Sequence, residues 1–100
     1  MKITTDLIQA IRTNNFFKRN NTTYNGVTVK LHGNIIFTRT ESFIKLSDGN
    51  YPSLTTKRRL HAIIEAYELP SCKVRFHKGV IYFDYQDNTY TNSLQIDLPF

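Results

Sequence analysis

Apolar and polar positions change rhythm several times along this chain, and each change marks an element. From Thr4 to about Phe17, Leu7, Ile8 and Ile11 make a narrow helical stripe with Ala10 beside it. Thr4 or Thr5 would cap this first helix, and Asp6 suits its first turn. Asn14-Asn15 weakens it, Arg19-Asn20-Asn21 ends it, and Phe16 and Phe17 would lock its end onto the core. Thr22 to Leu31 then reads as strand, with Asn25-Gly26 as a tight hairpin turn or a bulge. Within it Val27, Val29 and Leu31 alternate with Thr28, Lys30 and His32, the pattern of a strand with one wet face. His32-Gly33-Asn34 turns the chain into a returning strand, Ile35 to Thr40. A third strand, Ser42 to Ser47, puts Ile44 and Leu46 on one face, and Asp48-Gly49-Asn50 closes it.

The rhythm then becomes helical again. Pro52 keeps Tyr51 extended, and Thr55 or Thr56 would cap a helix running to about Glu68. Its stripe is Leu60, Ile63, Ile64 and Tyr67, and Pro70 stops it. Cys72, Val74 and Phe76 alternate with Lys73, Arg75 and His77, Lys78-Gly79 turns, and Val80 to Tyr85 returns. Gln86 to Thr89 is a turn, and Tyr90 to Leu98 would add an edge strand. The predicted order is α-β-β-β-α-β-β(-β): an α+β fold, mainly an antiparallel sheet with two helices packed on one face.

Composition narrows the picture. One hundred residues fit one small domain, residues 1–100, and 40% hydrophobic content supplies one modest core. There is no repeat, no low-complexity tract, no membrane span and no signal-peptide pattern. The single cysteine, Cys72, excludes an internal disulfide and suits a reducing cytoplasm. Thirteen Lys and Arg against eight Asp and Glu leave a net charge of +5, which favours acidic partners. The abundance of Asn, Thr, Ile, Lys and Tyr is what AT-rich coding gives.

Three stretches carry a resemblance. Leu31-His32-Gly33-Asn34 with Ile36 matches a strand ending in LHGN-x-I, and Thr55-Thr56-Lys57-Arg58-Arg59-Leu60 is similar, with one residue more, to a TT-x-RL helix start. Ala62-Ile63-Ile64 continues that helix, and Lys78-Gly79-Val80-Ile81-Tyr82 matches a closing K-G hairpin. Over roughly residues 24–85 the chain resembles small phage- and prophage-encoded proteins. Asn50-Tyr51 stands where that pattern has Gly-Trp, and His61 where it has Asn. The resemblance implies a phage accessory origin and supplies no mechanism.

Four constellations could carry function. Thr55, Thr56, Lys57, Arg58 and Arg59 would place hydroxyls, amides and cations at a helix start, a seat for phosphate. Read plainly, the same residues are a cap and a solvated face, although cations there oppose the helix dipole. Strand alternation aligns Lys30 with His32, aligns Lys73, Arg75 and His77, and sets Phe43 beside Lys45. On one helix-free face these would make a cationic sheet with an aromatic plate for single-stranded nucleic acid; otherwise they form an ordinary wet face. Cys72 and His77 point to opposite faces, which argues against a shared metal, and no nucleophile, paired-carboxylate or Gly-rich motif is present. Neither cofactor nor enzyme activity is expected. Last, Tyr82, Phe83, Tyr85 and Tyr90 crowd the C-terminal strands, and Ser93 to Leu98 with Pro99-Phe100 could cover a sheet edge or pair two chains as a homodimer. The chain is thus expected to act by binding, first a nucleic acid, DNA or RNA, and alternatively as an inhibitor or adaptor on a host or anti-phage defence protein.

Overall fold

The structure, a computed structural model, describes residues 2–69 and 71–97. The elements are α1 (Lys2–Thr13), β1 (Phe17–Arg19), β2 (Thr22–Tyr24), β3 (Thr28–Leu31), β4 (Asn34–Arg39), β5 (Phe43–Ser47), α2 (Leu54–Tyr67), β6 (Cys72–His77), β7 (Val80–Tyr85), β8 (Asn88–Thr91) and β9 (Ser93–Asp97). The fold is α+β and its strand pairing is antiparallel.

The first helix stops at Thr13, short of Phe17. Asn14 takes a left-handed φ of 55°, and the Asn14 and Asn15 amides donate back to Ile11 and Ala10. That is a helix C-terminus built on asparagine, a residue that tolerates positive φ. Phe17 is therefore delivered to β1, a strand absent from the sequence reading, while Phe16 is exposed. The expected Thr22–Leu31 strand is two strands. Asn25 Oδ1 accepts from the Val27 and Thr28 amides, an Asx turn that folds β2 back on β3. Val27 sits in that loop and is exposed rather than buried.

The strands also divide into two sheets, where the sequence suggested one. Six strands run in the order β1-β2-β3-β4-β5-β9, and three in the order β6-β7-β8. The C-terminal turn is tighter than expected: Gln86 and Asp87 both have positive φ, the signature of a two-residue hairpin, so β8 begins at Asn88. Asn92, with φ 71°, then breaks the expected Tyr90–Leu98 strand and sends the chain across to β5 as β9. Pro70 as a helix stop, Leu98 as the strand end and the Pro99-Phe100 terminus lie outside the described residues.

One register row accounts for much of the core. Phe17, Tyr24, Val29, Phe37, Leu46 and Leu94 lie opposite one another across all six strands, and all are buried. The helices pack on this face, where the Tyr67 ring sits 5.2 Å from that of Phe37. α2 lies against α1, β4 and β6, which is why Leu60, Ala62, Ile63, Ile64 and Ala66 are all buried. The inner residues of the smaller sheet, Cys72, Val74, Ile81 and Phe83, join the same cluster.

Candidate functional site

The start of α2 is the place to which the candidate chemistry converges. Its N-cap is Ser53, not Thr55 or Thr56. Ser53 has extended φ and ψ, and its Oγ accepts from the Thr56 amide at 3.1 Å. Thr56 is buried, and its hydroxyl donates to the Tyr51 carbonyl at 2.9 Å. Thr56 is thus committed to fixing the helix entry, and only Thr55 of the pair is exposed. A phosphate seat made from both hydroxyls and the helix amides is not what this geometry builds.

The three cations separate in the same way. Arg58 is exposed and Lys57 half-buried, whereas Arg59 is only 8% exposed. Arg59 Nε donates to Thr22 Oγ1 at 3.0 Å, and its NH1 is buried without a partner. Burial first, then the neighbouring Arg58 charge, lowers its pKa from the usual arginine range. Arg59 therefore faces the interior and not a ligand at the surface.

What remains outside forms a stripe along α2: Leu54, Arg58, His61 and Glu65 are exposed at helical spacing. Lys57, Arg58, His61, Ala62 and Glu65 line a groove against Thr4, Thr5 and Ile8 of α1, with a volume of about 310 Å³. Leu54 and Lys57 line a second groove with Val74, Arg75, Phe76 and His77 of β6. Lys57 is the shared wall. It joins the cations of the helix to the outward row of the small sheet.

The other predicted residues are dispersed. Arg75 is engaged by Asp84 in a bidentate pair, Nε to Oδ2 at 2.5 Å and NH2 to Oδ1 at 3.0 Å, and lies over the Tyr82 ring. The hydrogen bonds from Arg75 and then Thr89 pull the Asp84 pKa down. Lys73 lines a separate opening with Asp84 and Asp87. Lys30 belongs to the larger sheet, opposite Thr23 and Ile35, on the face away from the helices. Phe43 is half-buried at its far side, opposite Asp97. The single cationic face expected from strand alternation is thus split between two sheets.

A fourth opening lies just before the helix. His32, Asn34 and Tyr51 line it, with the His32 and Tyr51 rings 6.4 Å apart. Sequence reasoning placed His32 and His77 on the expected cationic sheet face and gave Asn34, Tyr51 and Leu54 no binding role. The 54-58-61-65 spacing carried a signal for the helix stripe, but nothing local joins His32 to Tyr51.

Among the described residues, no group of three or more His, Cys, Asp or Glu could hold a metal ion. No helix among them is long and apolar enough to cross a membrane. No match was found among the curated proteins or among the solved structures. Residues 1–97 match the family model described as Kyanoviridae Gp96 protein, and the chain, a small phage-encoded protein, belongs to that family.

Proposed function

We propose that this phage protein acts by binding rather than by catalysis, and that its ligand is nucleic acid held on the basic rim at the start of α2. The observation that carries this reading is the position of Lys57 in the walls of two adjoining grooves, between Arg58 with His61 and Arg75 with His77. A rim of this kind tracks a phosphate backbone by charge, and the net charge of +5 favours the encounter. Thr55 stands at the helix end of the rim. Lys73 shares the outward row of Arg75 but lines a separate opening beside Asp84 and Asp87, and Lys30 and Phe43 belong to the larger sheet.

The test is fluorescence anisotropy with short single-stranded and duplex DNA and RNA across a salt series. Wild type is compared with the Lys57→Ala/Arg58→Ala double variant, which leaves buried Arg59 in place. Binding that weakens steeply with salt, and weakens further in the double variant, supports the reading. No binding at low salt overturns it.

A second reading places the same rim on a host or anti-phage defence protein, as an inhibitor or adaptor. Tyr51 and Leu54, 63% and 47% exposed beside the cations, favour it, because interfaces draw on exposed aromatic and apolar anchors. Salt-tolerant binding to one such protein, with no affinity for nucleic acid, would decide for it.

A further inference from the structure

We infer that the cleft of His32, Asn34 and Tyr51 seats one unstacked nucleobase of a single strand whose phosphates follow the α2 rim; the inference rests on the nucleic-acid reading above.

The cleft is built from two segments that the fold forces together. His32 and Gly33, with φ of 54° and 81°, make the tight turn between β3 and β4 and set Asn34 at the strand start. The Asp48–Tyr51 turn presses on that strand at Gly49, where a Cβ would lie 3.1 Å from Asn34 Cβ and 3.2 Å from Ile36 Cγ2. Hydrogen bonds hold this turn on both sides. The Tyr51 amide donates to the Asp48 carbonyl, the Asn50 amide to Asp48 Oδ1, and the Tyr51 carbonyl accepts from Thr56. The backbone of Tyr51 is therefore fixed, while the residue is 63% exposed. An aromatic ring held in place but open to solvent is a stacking platform, and it loses little freedom on binding.

The remaining chemistry suits a base. The opening is about 330 Å³, at the lower end of ligand-site volumes, so it takes one ring system rather than a long ligand. The Asn34 amide supplies both donors and an acceptor, the set that reads a base edge, and the imidazole of His32 adds a second polar ring. Neither group forms a hydrogen bond through its side chain among the described residues. None of the three lining residues is a carboxylate, so nothing in the cleft repels a nucleotide. Tyr51 is three residues before Leu54, a Cα separation of at most about 10 Å, and Leu54 already lines the groove of Lys57. A strand on the rim reaches the cleft within a nucleotide or two. A duplex does not, because its bases remain stacked.

The experiment uses an octanucleotide carrying one 2-aminopurine and an abasic strand of the same length, titrated with wild type, Tyr51→Ala, Tyr51→Phe and Asn34→Ala. Anisotropy reports binding and 2-aminopurine quenching reports stacking, with circular dichroism to confirm each fold. The expected result is quenching with wild type and Tyr51→Phe. Tyr51→Ala abolishes the quenching and weakens binding roughly tenfold, as does removal of the bases. Asn34→Ala keeps the quenching but weakens binding a fewfold. Equal binding by wild type and Tyr51→Ala, or by the normal and abasic strands, overturns the base seat and leaves the phosphate rim standing. Absence of any anisotropy change at low salt overturns both.

Discussion

Arg59 Nε donates to Thr22 Oγ1 over 3.0 Å within the interior, so a buried cation ties α2 to β2. Thr22 is fully buried and Arg59 is 8% exposed. The arginine has no carboxylate partner among the described residues, and its NH1 has no hydrogen bond. Such a group is expensive to desolvate and incompletely compensated.

That relationship predicts an unusual stability pattern. Thr22→Val removes the one hydrogen bond that Arg59 makes through its Nε, and costs about 1–3 kcal/mol in urea unfolding. Arg59→Met, of similar length and without charge, is neutral or stabilising by about 1–2 kcal/mol. The Thr22→Val/Arg59→Met double variant is more stable than Thr22→Val alone, since the penalty of the first change depends on the cation. A large loss of stability in Arg59→Met would contradict this account of the interior.

The burial of Arg59 was half legible in the sequence. It stands four residues before Ile63 and three after Thr56, on the stripe that packs inward, but charge alone argued for the surface. The α+β class followed from periodicity because strand and helix periods differ so clearly around Val29, Ile63 and Val74. The division into two sheets did not follow. It depends on Asn92 taking positive φ, and many asparagines in this chain look equally able to do so. The His32–Tyr51 cleft was invisible for a related reason: only the register of β3 with β4, and the close approach at Gly49, bring those residues together.

Alkaline pH should destabilise the protein in a defined window. Burial, with Asp84 as the lesser cause, pushes Cys72 from 9.0 up to about 11. Burial, then Tyr67, pushes Tyr24 from 10.0 up to about 12. Both folded-state values lie above the unfolded ones, so the folded chain holds these protons longer. Their contribution is complete below pH 9 and is lost as pH rises through 11 and then 12, by roughly 2–3 kcal/mol for each group. Melting temperature measured from pH 8 to 11 should therefore fall. In Cys72→Ala, which starts from a lower baseline, the decline should begin about one pH unit later.

Gly49 links stability to the cleft. Its φ is 66°, and an added Cβ meets Asn34 and Ile36 at close range. Gly49→Ala is expected to cost about 1–3 kcal/mol, from backbone strain and the forced shift of β4. Thermal unfolding measures the loss. The same variant should weaken 2-aminopurine quenching more than it weakens overall binding, because it moves Asn34 and Tyr51 apart while leaving Lys57 and Arg58 in place.

The rim makes the sharpest separation between cations that act on a ligand and cations that act on the protein. Arg58 forms no ion pair among the described residues, and neither does Lys57. Arg75 is already neutralised by the bidentate contact with Asp84. Removing Lys57 or Arg58 should therefore lower the salt slope of nucleic-acid binding by about one each. Removing Arg75 should change it less, since the variant leaves Asp84 exposed and repulsive but gives up a charge that was already spoken for. Asp84→Asn makes the opposite test. It releases Arg75, adds one unit of net positive charge and should tighten binding a fewfold at low salt, with a steeper salt dependence. Anisotropy titrations of the four single variants at several salt concentrations read all of this. If Asp84→Asn leaves affinity and slope unchanged while Lys57→Ala lowers both, the ligand follows the helix side of the rim alone. The groove shared with β6 then has no part in binding.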